Sequence, residues 1–124
     1  MRYEFLQVAL GGAIGASARY GVNILATRLV PGFPLGTLIA NVLGCFAMGM
    51  LASLLTLRGG QDWAPFLLTG LLGGFTTFSA FALDTMVLWE RGASGTATGY
   101  ALASVTASLL AVIAGLSLGR GVFA

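Results

Sequence analysis

The chain has 124 residues, of which 57% are hydrophobic and only 8% charged, with a net charge of +2. So few charges cannot clothe a soluble domain of this size, which excludes a water-soluble globular protein. The six basic residues are all Arg and are scattered, and the lack of any His excludes imidazole acid–base chemistry and His-ligated metals.

A helix needs about 20 residues to cross roughly 30 Å of hydrocarbon. Four spans with short connectors use up the chain, so residues 1–124 are expected to form a single four-helix transmembrane domain. The opening "MRYEFLQVALGGAIGASARY" has a basic residue, an apolar stretch and a small-residue "ASA", as a cleaved leader would. Glu4 spoils the basic region and the apolar pattern resumes after Arg19, so it reads as a retained first span.

Span one runs from about Phe5 to Leu29 and ends at "VPGFP", because Pro31 and Pro34 cannot continue a helix. Span two runs from about Leu35 to Leu57 and carries no charge. The turn "RGGQD" follows. Asp62 is expected to N-cap span three, with Pro65 tolerated in the first turn. That span covers about Trp63 to Trp89, two residues suited to anchor it at the membrane interfaces. After "ERGASG", span four runs from about Thr96 to Leu118.

Small residues recur at four-residue spacing: Gly11 and Gly15, Gly70 and Gly74, then Ala107, Ala111, Gly115 and Gly119. Such stripes let helices approach closely. The single cysteine, Cys45, cannot form an intrachain disulfide and reads as a small buried apolar side chain.

Residues 70–81 read "GLLGGFTTFSAF" in the middle of span three. Paired Gly and paired Thr are poor material for a helix interior. A break at this depth is expected, and in a membrane it needs partners for the freed N–H and C=O groups.

Few polar groups lie deep in the spans, so each is informative. Arg19 lies past the middle of span one, where it either pairs with helix-end carbonyls or binds an ion. Asn41 offers two N–H donors and one acceptor, as interhelical glue or as a donor facing an anion. Tyr100, Ser104 and Ser108 recur every four residues, which places three hydroxyls on one stripe of span four. Phe78 and Phe81 share a face of span three, as core or as electropositive ring edges toward an anion. Asp84 lies one turn beyond Phe81, as a solvated, capping or vestibule carboxylate. Glu4, Asp62, Asp84 and Glu90 all lie at or near span ends, and no nucleophile–base pair appears, so no enzyme is expected. The flanking charges nearly balance. Arg2, Arg58 and Arg120 stand against Arg28 and Arg91, which fits either a protein inserted by hydrophobicity alone or a chain that inserts both ways and pairs antiparallel.

Taken together, "GGAIGASARY", "GTLIANVLGCF", "GLLGGFTTFSAF" and the Tyr100/Ser104/Ser108 stripe resemble the Fluc (CrcB) family of fluoride channels over essentially the whole length. Ala80 stands where that pattern often carries Thr. The resemblance implies an all-α integral membrane protein of the cell inner membrane, with its third helix broken mid-membrane, paired as an antiparallel dual-topology homodimer. It implies a structural Na⁺ held by the backbone carbonyls of Gly73 and Thr76. It also implies a fluoride pathway along Asn41, Phe78, Phe81, Tyr100, Ser104 and Ser108. A dual-topology exporter of cationic drugs is the alternative from another class, but it needs a carboxylate within span one, where the deep charge is Arg19. A structural membrane protein without transport is the third.

Overall fold

The computed structural model describes residues 3–124, which leaves Arg2 of the charge count outside the described residues. Helix α1 covers Glu4–Leu29 and α2 covers Leu35–Arg58. A 3-10 turn at Gln61–Trp63 leads to a π-helical segment, Pro65–Leu72, which passes into the short α3, Gly73–Phe75. Helix α4 covers Phe78–Glu90 and α5 covers Ser94–Phe123. Leu35–Arg58, Gln61–Glu90 and Ser94–Phe123 are each long and apolar enough to cross a membrane. Large apolar side chains such as Phe5, Leu25, Leu83, Leu109 and Ile113 stand on the outside. The chain is therefore an integral, multi-pass membrane protein, with an apolar exterior suited to lipid.

The turns follow the residues that make them. Pro31 and Pro34 separate α1 from α2. Gly59 and Gly60 lie at φ 85° and 93°, a region that a side chain disfavours. Two expected boundaries shift. Asp62 is not the N-cap of span three: it lies inside the 3-10 turn closed by Trp63 N–H on the Gly60 carbonyl at 2.9 Å. That turn moves the helix start to Pro65, whose segment has no side-chain cap. Asp62 instead lends its main-chain carbonyl to Gln7 Nε2 at 3.2 Å. The last helix starts at Ser94 and continues to Phe123, beyond the expected Thr96 and Leu118. Gly92, at φ 85°, completes the connector early. At the far end, Arg58 Nε bonds the Phe123 carbonyl at 2.7 Å, holding the last turn against α2.

Two close pairs of helices organise the chain. The first is α1 against the π-helical segment and α3. A β-carbon on Gly11 would stand 2.5 Å from the Phe66 carbonyl oxygen, and one on Gly74 2.8 Å from that of Gly12. These stripes are small because backbone meets backbone. The second pair is α2 against α5, where a β-carbon on Gly49 would stand 2.6 Å from the Val112 carbonyl oxygen. The hydroxyl of Ser53 lies 2.9 Å from the Gly49 carbonyl and 3.2 Å from that of Leu116, stitching the two helices. Helix α4 packs on α5. Between α3 and α4 the chain thus passes from the first pair to the second.

Candidate functional site

The passage is made by two residues. Thr76 (φ −88°, ψ 158°) and Thr77 (φ −156°, ψ 129°) are extended, with helix on either side. Both are β-branched, which suits extended backbone. Thr77 also caps α4: its Oγ1 accepts the Ala80 N–H at 3.2 Å. The Thr76 hydroxyl bonds back to the Leu72 carbonyl at 2.9 Å. The neighbouring glycines are not the interruption. Gly73 is helical at φ −62°, ψ −35°, and Gly74 serves the close approach to α1.

Two extended residues upset the helical pairing, and the displaced groups are re-paired by side chains. Thr77 N–H would bond the Gly73 carbonyl in a continuous helix; it donates instead to Asn41 Oδ1 at 2.8 Å. Asn41 Nδ2 in turn donates to the Thr77 carbonyl at 3.0 Å. Ala80 N–H, the helical partner of the Thr76 carbonyl, is taken by Thr77 Oγ1. The Gly74 carbonyl accepts from Arg19 Nε at 3.1 Å. Arg19 therefore sits, half-buried, on a helix-end carbonyl, where a cation complements the negative end of the dipole. The carbonyls of Gly73 and Thr76, like that of Phe75 between them, gain no such side chain.

Beside this passage lies a cavity of about 210 Å³ lined by Asn41, Cys45, Thr76, Thr77, Phe78, Phe81, Ser104, Val105 and Ser108. Helix α2 brings Asn41 and Cys45, α4 brings the two phenylalanines and α5 the two serines. Phe78 and Phe81 meet edge-on, with ring centroids 5.5 Å apart. Phe78 is 77% exposed on the surface of the chain. The Ser104 hydroxyl, on a residue only 4% exposed, makes no hydrogen bond of ordinary length and has only a longer polar contact with Tyr100, one turn back. Such a group is expensive to leave dry, about 1–3 kcal/mol. No carboxylate lines this cavity.

The remaining expected site residues lie around it rather than in it. Tyr100 is 2% exposed, with its ring between Phe33 and Phe81. Its hydroxyl donates to Asp84 Oδ2 at 3.2 Å. Asp84 lines a second recess of about 250 Å³ with Phe33, Leu83 and Arg91 among others. Arg91 Nη2 there holds the Gly32 carbonyl at 3.0 Å. The hydroxyl stripe on α5 is thus divided: Ser104 and Ser108 face the first cavity, and Tyr100 stands between the two. Two residues were missed. Thr77 carried a legible signal, a threonine just before an apolar helix. Cys45, expected to be buried packing, is half-buried and lines the cavity, because its position one turn after Asn41 gives both the same face.

The sequence profile described as "CrcB-like protein, Camphor Resistance (CrcB)" matches residues 6–116. The chain is 73% identical, over the full length of both, to a protein of Paracoccus denitrificans (strain Pd 1222) named fluoride-specific ion channel FluC. It is 55% identical, over 95% of each chain, to a protein of the same name from Cereibacter sphaeroides (strain ATCC 17029 / ATH 2.4.9). A third of that name, from Mesorhizobium japonicum, is 50% identical over 95% of this chain and 97% of its own.

Proposed function

The chain belongs to the CrcB family, and from that premise we propose that it is a fluoride channel of the inner membrane, through which fluoride leaves the cytoplasm and its toxicity falls. The observation that carries this reading is the buried Ser104 hydroxyl, without a hydrogen bond of ordinary length, in a cavity without a carboxylate. Fluoride is small and strongly hydrated, so a passage must replace its water with close, uncharged donors. Ser104 and Ser108 offer O–H groups, and Asn41 keeps a second N–H beyond the one given to Thr77. Phe78 and Phe81 offer ring edges, which are electropositive.

Helix α1, at 26 residues, is long enough to add a fourth crossing. The third crossing is the one interrupted at Thr76–Thr77. Among the described residues, Arg58 and Arg120 at one end of the bundle face Arg28 and Arg91 at the other. This balance suits a chain that inserts in both orientations and pairs antiparallel. Phe78, exposed on one protomer, is then covered by the second copy.

The backbone also suits a structural Na⁺. The carbonyls of Gly73 and Thr76 have lost their helical donors to Asn41 and Thr77, and Gly73 is exposed on the protomer surface. Two copies about a two-fold axis bring four such oxygens, fewer than Ca²⁺ takes and without its carboxylates, which favours a monovalent ion. When bound, the ion supplies a fixed positive charge and links the copies.

The test is fluoride efflux from liposomes holding the purified protein, with potassium and valinomycin to balance charge. Fast efflux of fluoride and none of chloride is expected. Export of a cationic dye coupled to protons, or no flux at all, would sink the reading.

A further inference from the structure

The cavity wall holds a nucleophile that fluoride passage leaves unused. Cys45 follows Asn41 by one helical turn and shares its face. Its thiol is free, half-buried and in the wall with Thr76, Phe81 and Ser104. In a dry apolar interior such a thiol would be inert, because the thiolate is the reacting species and burial suppresses it. The Ser104 hydroxyl argues that this cavity is not dry. It is buried, without a close partner, and in the same wall, and a small polar occupant would satisfy it. The wall around Cys45 is also closely held. Asn41 is bonded twice to Thr77, and Gly44 lies so close to the Thr76 methyl group that a β-carbon there would overlap it.

We propose that Cys45 is a covalent modification site within the anion passage, open to small sulfur electrophiles of the alkyl thiosulfonate class, and that an alkylthio group placed there closes the passage. The thiol first loses its proton to water. Its Sγ then attacks the sulfenyl sulfur of methyl methanethiosulfonate. The new S–S bond forms as the bond between that sulfur and the sulfonyl group breaks, and methanesulfinate leaves with the electron pair. No separate oxidant is consumed. The added group occupies the space beside Asn41 and Ser104 that a dehydrated anion needs.

The proposal rests on the channel reading, and the experiment separates the two. Full-length protein in fluoride-loaded liposomes is treated with methyl methanethiosulfonate, and efflux and intact mass are measured before and after. Cys45→Ser is treated in parallel and compared only with its own untreated flux. Wild type should gain one methylthio group per chain and lose most of its flux, because the added group stands in the space an anion has to cross. Dithiothreitol should restore it, and Cys45→Ser should keep its flux. Complete labelling with unchanged flux overturns the proposal. So does a thiol that labels only after unfolding in detergent. Untreated vesicles that release no fluoride overturn the channel reading instead, which the control reveals before any reagent is added.

Discussion

Tyr100 and Asp84 are joined by a hydrogen bond of 3.2 Å, phenol to carboxylate, at the boundary between two recesses. Asp84 lines the one that holds Arg91; Ser104, one turn beyond Tyr100, lines the other. The bond ties α4 to α5 and fixes the Tyr100 ring between Phe33 and Phe81. A hydrogen bond to a charged group contributes about 1.5–3 kcal/mol. Asp84→Asn keeps an acceptor for the phenol and removes the charge; Asp84→Ala removes both. If the carboxylate acts by holding Tyr100, Asn should retain flux and Ala should lose most of it, along with thermal stability. Equal loss in both would assign the role to the charge.

Asn41 serves the fold as well as the cavity. Asn41→Ala strands the half-buried Thr77 N–H and C=O, at up to about 1–3 kcal/mol for each that water does not reach. A lower melting temperature in detergent is expected, together with loss of fluoride efflux. Asn41→Asp keeps an acceptor for Thr77 N–H but sets a carboxylate against the Thr77 carbonyl and against any anion in the cavity. Its flux should be abolished. Wild-type efflux from the Asp variant would remove Asn41 from the passage.

The two phenylalanines should separate by stability. Phe78 is exposed on the single chain, so Phe78→Ile should leave the stability of its fold nearly unchanged. Phe81 meets Phe78 edge-on and Tyr100 at a tilt, both with ring centroids 5.5 Å apart, so Phe81→Ile should cost about 0.5–1.5 kcal/mol beyond lost area. Both substitutions remove an electropositive ring edge, and both should slow efflux. Unchanged flux in both would return them to packing.

Adjacent glycines should respond differently to a methyl group. At Gly74 a β-carbon would stand 2.8 Å from the Gly12 carbonyl oxygen, so Gly74→Ala should destabilise the protomer by about 1–3 kcal/mol. At Gly73 the nearest atom is the Leu68 carbonyl oxygen at 3.5 Å, an ordinary contact. Gly73→Ala should therefore fold, and any damage should appear in dimer formation or in its Na⁺ dependence. Native gels with and without Na⁺ would show it; a destabilised monomer would contradict the assignment.

Charge at the ends should decide orientation. Two or three Lys added beside Arg58 should fix one topology and leave each chain inactive alone, and co-expression with a variant biased the other way should restore flux. Full activity of a one-way variant by itself would rule out antiparallel pairing.

Much of this architecture is legible locally. Pro31, Pro34 and the glycines at 59, 60 and 92 announce the turns, and the apolar lengths between them announce the spans. The four-residue glycine stripes announced close packing, without naming their partners. Span three was legible only in part. Low helix propensity at "GGFTT" marked a weak stretch but not which residues would leave the helix. That choice depends on Asn41, 36 residues away, whose amide takes over the Thr77 peptide. The same distance hid Cys45, since its exposure reflects a cavity assembled from three helices. Arg19 could be placed at depth from sequence, but its partner depended on where α3 ends.

The π-helical stretch at Pro65–Leu72 has a consequence for mutation by length. Gly73 N–H reaches back to the Leu68 carbonyl, five residues away, where an α-helix would close on four. Losing one residue here would return the stretch to α geometry, a gain in local hydrogen bonding. The eight residues Pro65–Leu72 turn about as far as seven α residues at about 100° each. The segments on either side would therefore keep their facing, with Gly74 still on Gly12 and the Thr77 peptide still toward Asn41. The same loss inside α4, where no wide turn can absorb it, would rotate everything beyond it by about 100°. The widened turn is thus a slack residue within the span, the one place along it where length can change without changing direction.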